Sequence, residues 1–109
     1  SESWILACPV YWFNMTAQMK LFMDRLFGLV AYGPDPFRRK KIAIAMTYGD
    51  SDPFVPGCVN ALRTFQDAFR YTGSRIVGMV YGSALEPGDI EKNEAVMKQA
   101  ENLGRRLAR

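Results

Sequence analysis

The sequence predicts an α/β protein in which parallel strands form a sheet with helices on its faces. Apolar runs alternate with amphipathic stretches three times along the 109 residues, the order that builds strand–helix units. The runs Trp4–Cys8, Ile42–Met46 and Ile76–Val80 show no polar alternation, as expected of strands covered on both faces. The first two of them lead into aromatic, turn-rich segments.

Ser3 to Cys8 is the first strand, ended by Pro9, which lacks the N–H a central ladder needs. Met15, Met19, Phe22 and Leu26 then recur on one helical face, widened by Met23, Phe27 and Val30. That helix should end between Phe27 and Ala31, and Asn14 should cap part of its free N–H groups. Gly33, Pro34 and Pro36 make Tyr32–Arg39 a connecting loop. Lys40 to Thr47 is the second strand, and Tyr48 to Gly57 is a loop dense in turn formers. Cys58, Leu62, Phe65 and Phe69 mark a second helix, with Gly73 in position for a left-handed C-terminal residue. Ser74 to Tyr81 is the third strand. After the turn Glu86–Asp89, either Asp89 or Asn93 can cap a third helix marked by Val96, Ala100, Leu103 and Leu107. Right-handed crossovers place the first two helices on the same face. With no linker or repeat, residues 1–109 read as one domain.

A hydrophobic content of 49% and a charged content of 23% are ordinary for a globular chain. No apolar run reaches the roughly 18 residues of a membrane span, and Ser1–Trp4 does not open a signal peptide. No membrane partner is expected, and the cytoplasm is the expected compartment. Cys8 and Cys58 form no Cys-x-x-Cys pair and read as small hydrophobes. Histidine is absent, which excludes Ser-His-Asp and Cys-His nucleophilic sites and His-ligated zinc or haem. The net charge of +3 concentrates in Arg38–Lys41 and in Arg105, Arg106 and Arg109. These read as a solvated strand entrance and as cations suited to a helix C-terminus, so nucleic acid is not an expected partner.

Ligands of open α/β sheets bind outside the carboxyl ends of the strands. Two loops leave the sheet there, Pro9–Asn14 with Tyr11, Trp12 and Phe13, and Thr47–Gly57. They suit two walls of a pocket for a flat, hydrogen-bonding ligand. The plainer alternatives are aromatic plugs at the sheet end and an ordinary surface turn.

The run from Pro9 to Arg25, PVYWFNMTAQMKLFMDR, resembles the third strand–loop–helix unit of the flavodoxin-like NAD(P)H-dependent FMN reductase superfamily. That superfamily includes iron–sulfur flavoproteins, quinone reductases and azoreductases. Thr47-Tyr48-Gly49 resembles the loop after the family's fourth strand, and Leu103-Gly104 its closing helix. The resemblance implies a flavodoxin-like, doubly wound, three-layer parallel sheet of which the first two strand–helix units are missing. The chain is then expected to be the C-terminal part of a longer protein, without the phosphate-cradling loop.

By the same resemblance the cofactor is FMN and the reductant NAD(P)H. Hydride passes from nicotinamide to flavin and on to a small-molecule acceptor such as a quinone or flavin, or to an electron carrier. Pro9, Tyr11, Trp12, Phe13 and Asn14 would meet the pyrimidine edge of the ring. Thr47, Tyr48, Gly49 and Asp50 would line its other side, with Tyr48 free to stack or to hydrogen-bond an acceptor. No side chain is nominated as a catalytic acid, base or metal ligand. The strand Trp4–Cys8 would be a torn edge, completed by the missing N-terminal segment or by a second copy in a homo-oligomer. A flavodoxin-like electron carrier, or an interaction module that binds no flavin, is the alternative function.

Overall fold

Three parallel strands, β1 (Ser3–Pro9), β2 (Lys41–Tyr48) and β3 (Arg75–Ser83), lie in the order β1-β2-β3. The computed structural model describes residues 1–31 and 37–109. Helices α1 (Ala17–Ala31) and α2 (Cys58–Thr72) connect the strands, and α3 (Glu94–Ala108) follows a 3-10 turn at Asp89–Lys92. Of the expected loop Tyr32–Arg39, residues 32–36 lie outside the described residues.

The central strand organises both layers. Ile42, Ile44 and Met46 point into a core shared with Leu26 of α1 and with Cys58, Leu62, Phe65 and Phe69 of α2. Ala43 and Ala45 point the other way, against Leu103 and Leu107 of α3. Helices α1 and α2 therefore cover one face, as right-handed crossovers require, and α3, which follows the last strand, covers the other.

β1 departs from the expected two-sided burial. Trp4, Leu6 and Cys8 belong to the α1/α2 core, whereas Ile5 is 61% exposed on the opposite face and Ala7 is exposed beside it. The reason is the position of α3, which lies over β3 and β2. It reaches β1 only at its end, where the Ser3 hydroxyl donates to the Leu107 carbonyl at 3.3 Å. Helix α1 is likewise apolar around more of its circumference than the fold covers. Met23 and Leu26 are buried, but Leu21, Phe22, Leu29 and Phe27 are exposed, although Phe22 and Phe27 belong to the face expected to be buried. Asp24 pairs with Lys20 at 2.6 Å on the helix surface, a contact of small energy.

The outer edge of β1 is open. The Lys41 N–H donates to the Glu2 carbonyl and the Val10 N–H to the Thr47 carbonyl, so even-numbered residues face β2 and odd-numbered residues face outward. At Ser3 the outward groups are covered by the Ser1 hydroxyl. Those of Ile5 and Ala7 meet no partner among the described residues, and Pro9 has no N–H to offer.

Thr16, not Asn14, caps α1. Its hydroxyl accepts the Met19 N–H at 3.1 Å, while the Asn14 amide oxygen accepts from Met15 at 2.8 Å, one position too early for a cap. Helix α2 ends as expected at Gly73, with φ 78. The Gly73 N–H donates to Arg70 and the Ser74 N–H to Phe69, a Schellman arrangement. Of the two candidate caps for α3, Asn93 takes the role and accepts the Val96 N–H.

Candidate functional site

At the carboxyl edge of the sheet β1 and β2 stay joined through their loops by the Val10 N–H, which donates to the Thr47 carbonyl at 2.8 Å. Beyond it the chain reverses in a tight turn. The Tyr11 N–H donates to Asn14 at 2.9 Å and the Asn14 N–H returns to Tyr11 at 3.3 Å. Both central residues have positive φ, 48 at Trp12 and 69 at Phe13. For bulky aromatics this is an unusual conformation, costing about 1 kcal/mol or more at each residue. Their two N–H groups have no partner among the described residues.

The start of α2 holds that turn in place. Gly57, at φ 86, packs so closely that a β-carbon there would lie 2.4 Å from the Phe13 carbonyl oxygen. The Asn60 amide donates to the same oxygen at 3.1 Å. The two loops thus meet through backbone, and only glycine at position 57 permits the approach.

β2 runs one residue further than expected, through Tyr48, whose carbonyl accepts the Ala84 N–H at 2.8 Å. The Tyr48 side chain turns into the α1/α2 core, leaving the residue 8% exposed. Burial, with the nearby Cys58, Tyr81 and Asp52, raises its phenol above the ordinary value. A freely stacking Tyr48 ring is therefore not what the fold presents. Asp50 folds back on its own turn, accepting the Ser51 N–H at 2.6 Å. Asp52 ties the rest of the loop by accepting from Phe54 and Val55.

A third wall follows β3. The Asp89 carboxylate accepts the Glu86 N–H at 2.9 Å and the Leu85 N–H at 3.3 Å. The bond from Glu86 contributes most to holding this carboxyl below its usual range. Leu85 leans across toward Gly49, where a β-carbon would sit 3.3 Å from its Cδ2.

These walls enclose a cleft of about 550 Å3, within the range of small-molecule sites. Among the residues proposed from sequence, Pro9, Tyr11, Thr47, Tyr48 and Gly49 line it together. Trp12, Phe13, Asn14 and Asp50 do not; Trp12 is 90% exposed and stands edge-on to Phe13 at 5.3 Å. The segment Ala84–Gly88 with Ile90 completes the lining and was missed. Its signal was present in Glu86-Pro87-Gly88, a turn at the carboxyl end of a parallel strand, the same cue that marked the other two loops. Among the described residues Glu86 is the only charged one lining the cleft, so main-chain groups and apolar surface define its chemistry.

A parallel sheet layered between helices, with its cleft at the carboxyl edge, defines a flavodoxin-like protein. The family model for the flavodoxin-like fold matches residues 1–107, and the chain belongs to that family. It is 28% identical over 106 residues to YwqN of Bacillus subtilis, provisionally named an NAD(P)H-dependent FMN-containing oxidoreductase, covering 94% of this chain and 58% of that protein. It is 33% identical over 111 residues to an iron-sulfur flavoprotein of Archaeoglobus fulgidus, covering 99% of this chain and 46% of the relative. The chain thus spans about half the length of the curated relatives it matches. The solved structure of the Trp repressor binding protein from Bacillus subtilis superposes with a TM-score of 0.82 at 28% identity, over 94% of this chain and 63% of that one.

Proposed function

We propose that this chain forms the ring-binding side of an FMN-dependent NAD(P)H oxidoreductase. The observation that carries the reading is the cleft that joins Pro9 and Tyr11 to Thr47, Tyr48 and Gly49. Its shape fits a flat ring. Gly49 adds no side chain of its own, Leu85 lies over it, and main-chain groups and apolar surface make up most of the lining. The fit is partial, because among the described residues no Gly/Ser/Thr-rich loop opening a helix lines this cleft to take a phosphate. FMN, when bound, would supply the redox chemistry, taking two electrons as hydride from NAD(P)H and passing them to a quinone or flavin or, as electrons with release of the proton, to an electron carrier. The chain's own part is to orient the ring between its loops, with Leu85 and Ile90 supplying apolar contact.

We further propose that the open edge of β1 is completed, by a segment supplying a strand and the phosphate-holding loop or by a second copy of the chain. The unpartnered Ile5 and Ala7 backbone groups and the exposed Phe22, Phe27 and Leu29 favour this, since apolar edges drive association.

A flavin titration of the purified chain tests the ring site. FMN and riboflavin should perturb the visible bands and bind within a few-fold of each other, because the ring is held and the phosphate is not. Unchanged bands at millimolar flavin would sink the reading. Bleaching of the bound flavin by NAD(P)H separates a reductase from a carrier that needs a protein donor.

A further inference from the structure

We propose that the amino edge of the sheet, at the end opposite the cleft, is an anion site for a compact oligophosphate such as the di- or triphosphate of a nucleotide. Lys41 from the start of β2, Arg75 from the start of β3, and Arg106 and Arg109 from the end of α3 line one depression there. Its volume is about 290 Å3, and Val77 is the fifth residue of its lining. Three separate elements thus deliver four cations to one place.

None of the four takes part in an ion pair among the described residues, where the paired cations are Lys20, Arg63, Lys92 and Arg105. With no Asp or Glu side chain paired to them among the described residues, their like charges repel one another, a cost that a bound anion lowers. The backbone is also shaped for the purpose. Ile42 pairs with Ile76 but Ala43 pairs with Gly78, so Val77 is the extra residue of a β-bulge, a device that re-aims side chains. Gly78 next to it makes room for both Leu103 and Arg106, since a β-carbon there would lie 2.7 Å from Leu103 Cδ1 and 2.9 Å from an Arg106 guanidinium nitrogen. Lys41 Nζ donates to the Arg109 backbone oxygen at 2.7 Å, tying β2 to the end of α3.

Three arginine forks with a lysine suit phosphate oxygens, which the forks can meet in bidentate fashion. A long polyanion fits less well, because two neighbouring cations are held away from the depression. Lys40 is drawn away over the Trp4 ring, 4.9 Å from its centroid, and Arg105 is paired with Glu101. The site lies a strand length from the cleft, about 25 Å for the eight residues of β2, so its ligand does not compete with a ligand of the cleft.

Calorimetric titration of the chain with sodium tripolyphosphate tests the assignment. Saturable one-to-one binding is expected, weakened about tenfold or more by Arg75→Gln and by Arg106→Gln. Arg63→Gln, which removes a charge from α2, should leave it unchanged. Gly78→Ala keeps every charge yet should weaken binding by displacing Arg106. If that variant unfolds, Arg106→Lys, which keeps the charge and loses the fork, takes its place with the same expectation. Absence of saturable binding at low salt overturns the proposal. So does equal weakening by Arg63→Gln and Arg75→Gln, or tighter binding of a single-stranded oligonucleotide than of tripolyphosphate.

Discussion

Gly57 and Phe13 touch through their backbones, at a distance that leaves no room for even one methyl group on Gly57. This contact fixes the first cleft loop to the start of α2. Gly57→Ala combines a strained positive φ with displacement of the Phe13 carbonyl. It should cost more than the roughly 1 kcal/mol of the backbone conformation alone. Asn60→Ala, which removes only the hydrogen bond to the same oxygen, should cost about 1 kcal/mol. Urea unfolding of the two variants measures both, and equal losses would show that the close approach carries no weight.

Trp12 gives a prediction of the opposite sign. Its ring is nearly fully exposed, so little packing is lost on removing it. Its φ of 48 is one that glycine adopts freely. Trp12→Gly should therefore leave stability unchanged or raise it by up to about 1 kcal/mol. A clear loss of stability in denaturant would mean that the ring packs on something.

Cys58 sets an alkaline limit. Burial, and secondarily the neighbouring Cys8, push its thiol from an ordinary 9.0 up to about 11. Above pH 9 the unfolded chain ionises this thiol while the folded chain keeps it neutral. Its share of stability is thus complete below that pH and is lost as the pH rises toward 11. Cys8 and Tyr48 are raised too and act in the same direction. Thermal melts between pH 9 and 11 should fall less steeply for Cys58→Ala than for the parent chain. The slope, unlike the absolute melting temperature, is not confused by the cavity the substitution leaves.

The free edge of β1 should make the chain self-associate. Light scattering coupled to size exclusion should show species larger than a monomer at tens of micromolar. Ile5→Lys should return them to monomer, because it places a charge on an exposed edge position without entering the core. A parent chain that stays monomeric at high concentration rules out a second copy as the completing partner.

Much of this architecture was legible in the sequence because continuous apolar strands and helical stripes report burial directly. Ile42 and Ile44, or Phe65 and Phe69, leave little choice of environment. What was not legible depends on placement. Whether Ile5 is covered is decided by where α3 lies, and α3 stops short of β1. Tyr48 looked like a loop aromatic, yet β2 runs one residue further and carries the ring inward. The positive φ of Trp12 and Phe13 arises from a turn closed against Gly57, far away in the chain, and no local pattern of large aromatics announces it. The third wall was visible as a turn and lacked only the knowledge that Asp89 folds it back over Gly49.

Pro9 gives the β1 edge a direction as well as a limit. Any strand laid along that edge finds donors and acceptors at Ile5 and Ala7 and then, at the next outward position, no donor at all. The added ladder must fray there, beside Tyr11. Whichever end of such a strand lies beside Pro9 is released at the rim of the cleft, so one missing hydrogen steers the adjoining segment toward that rim.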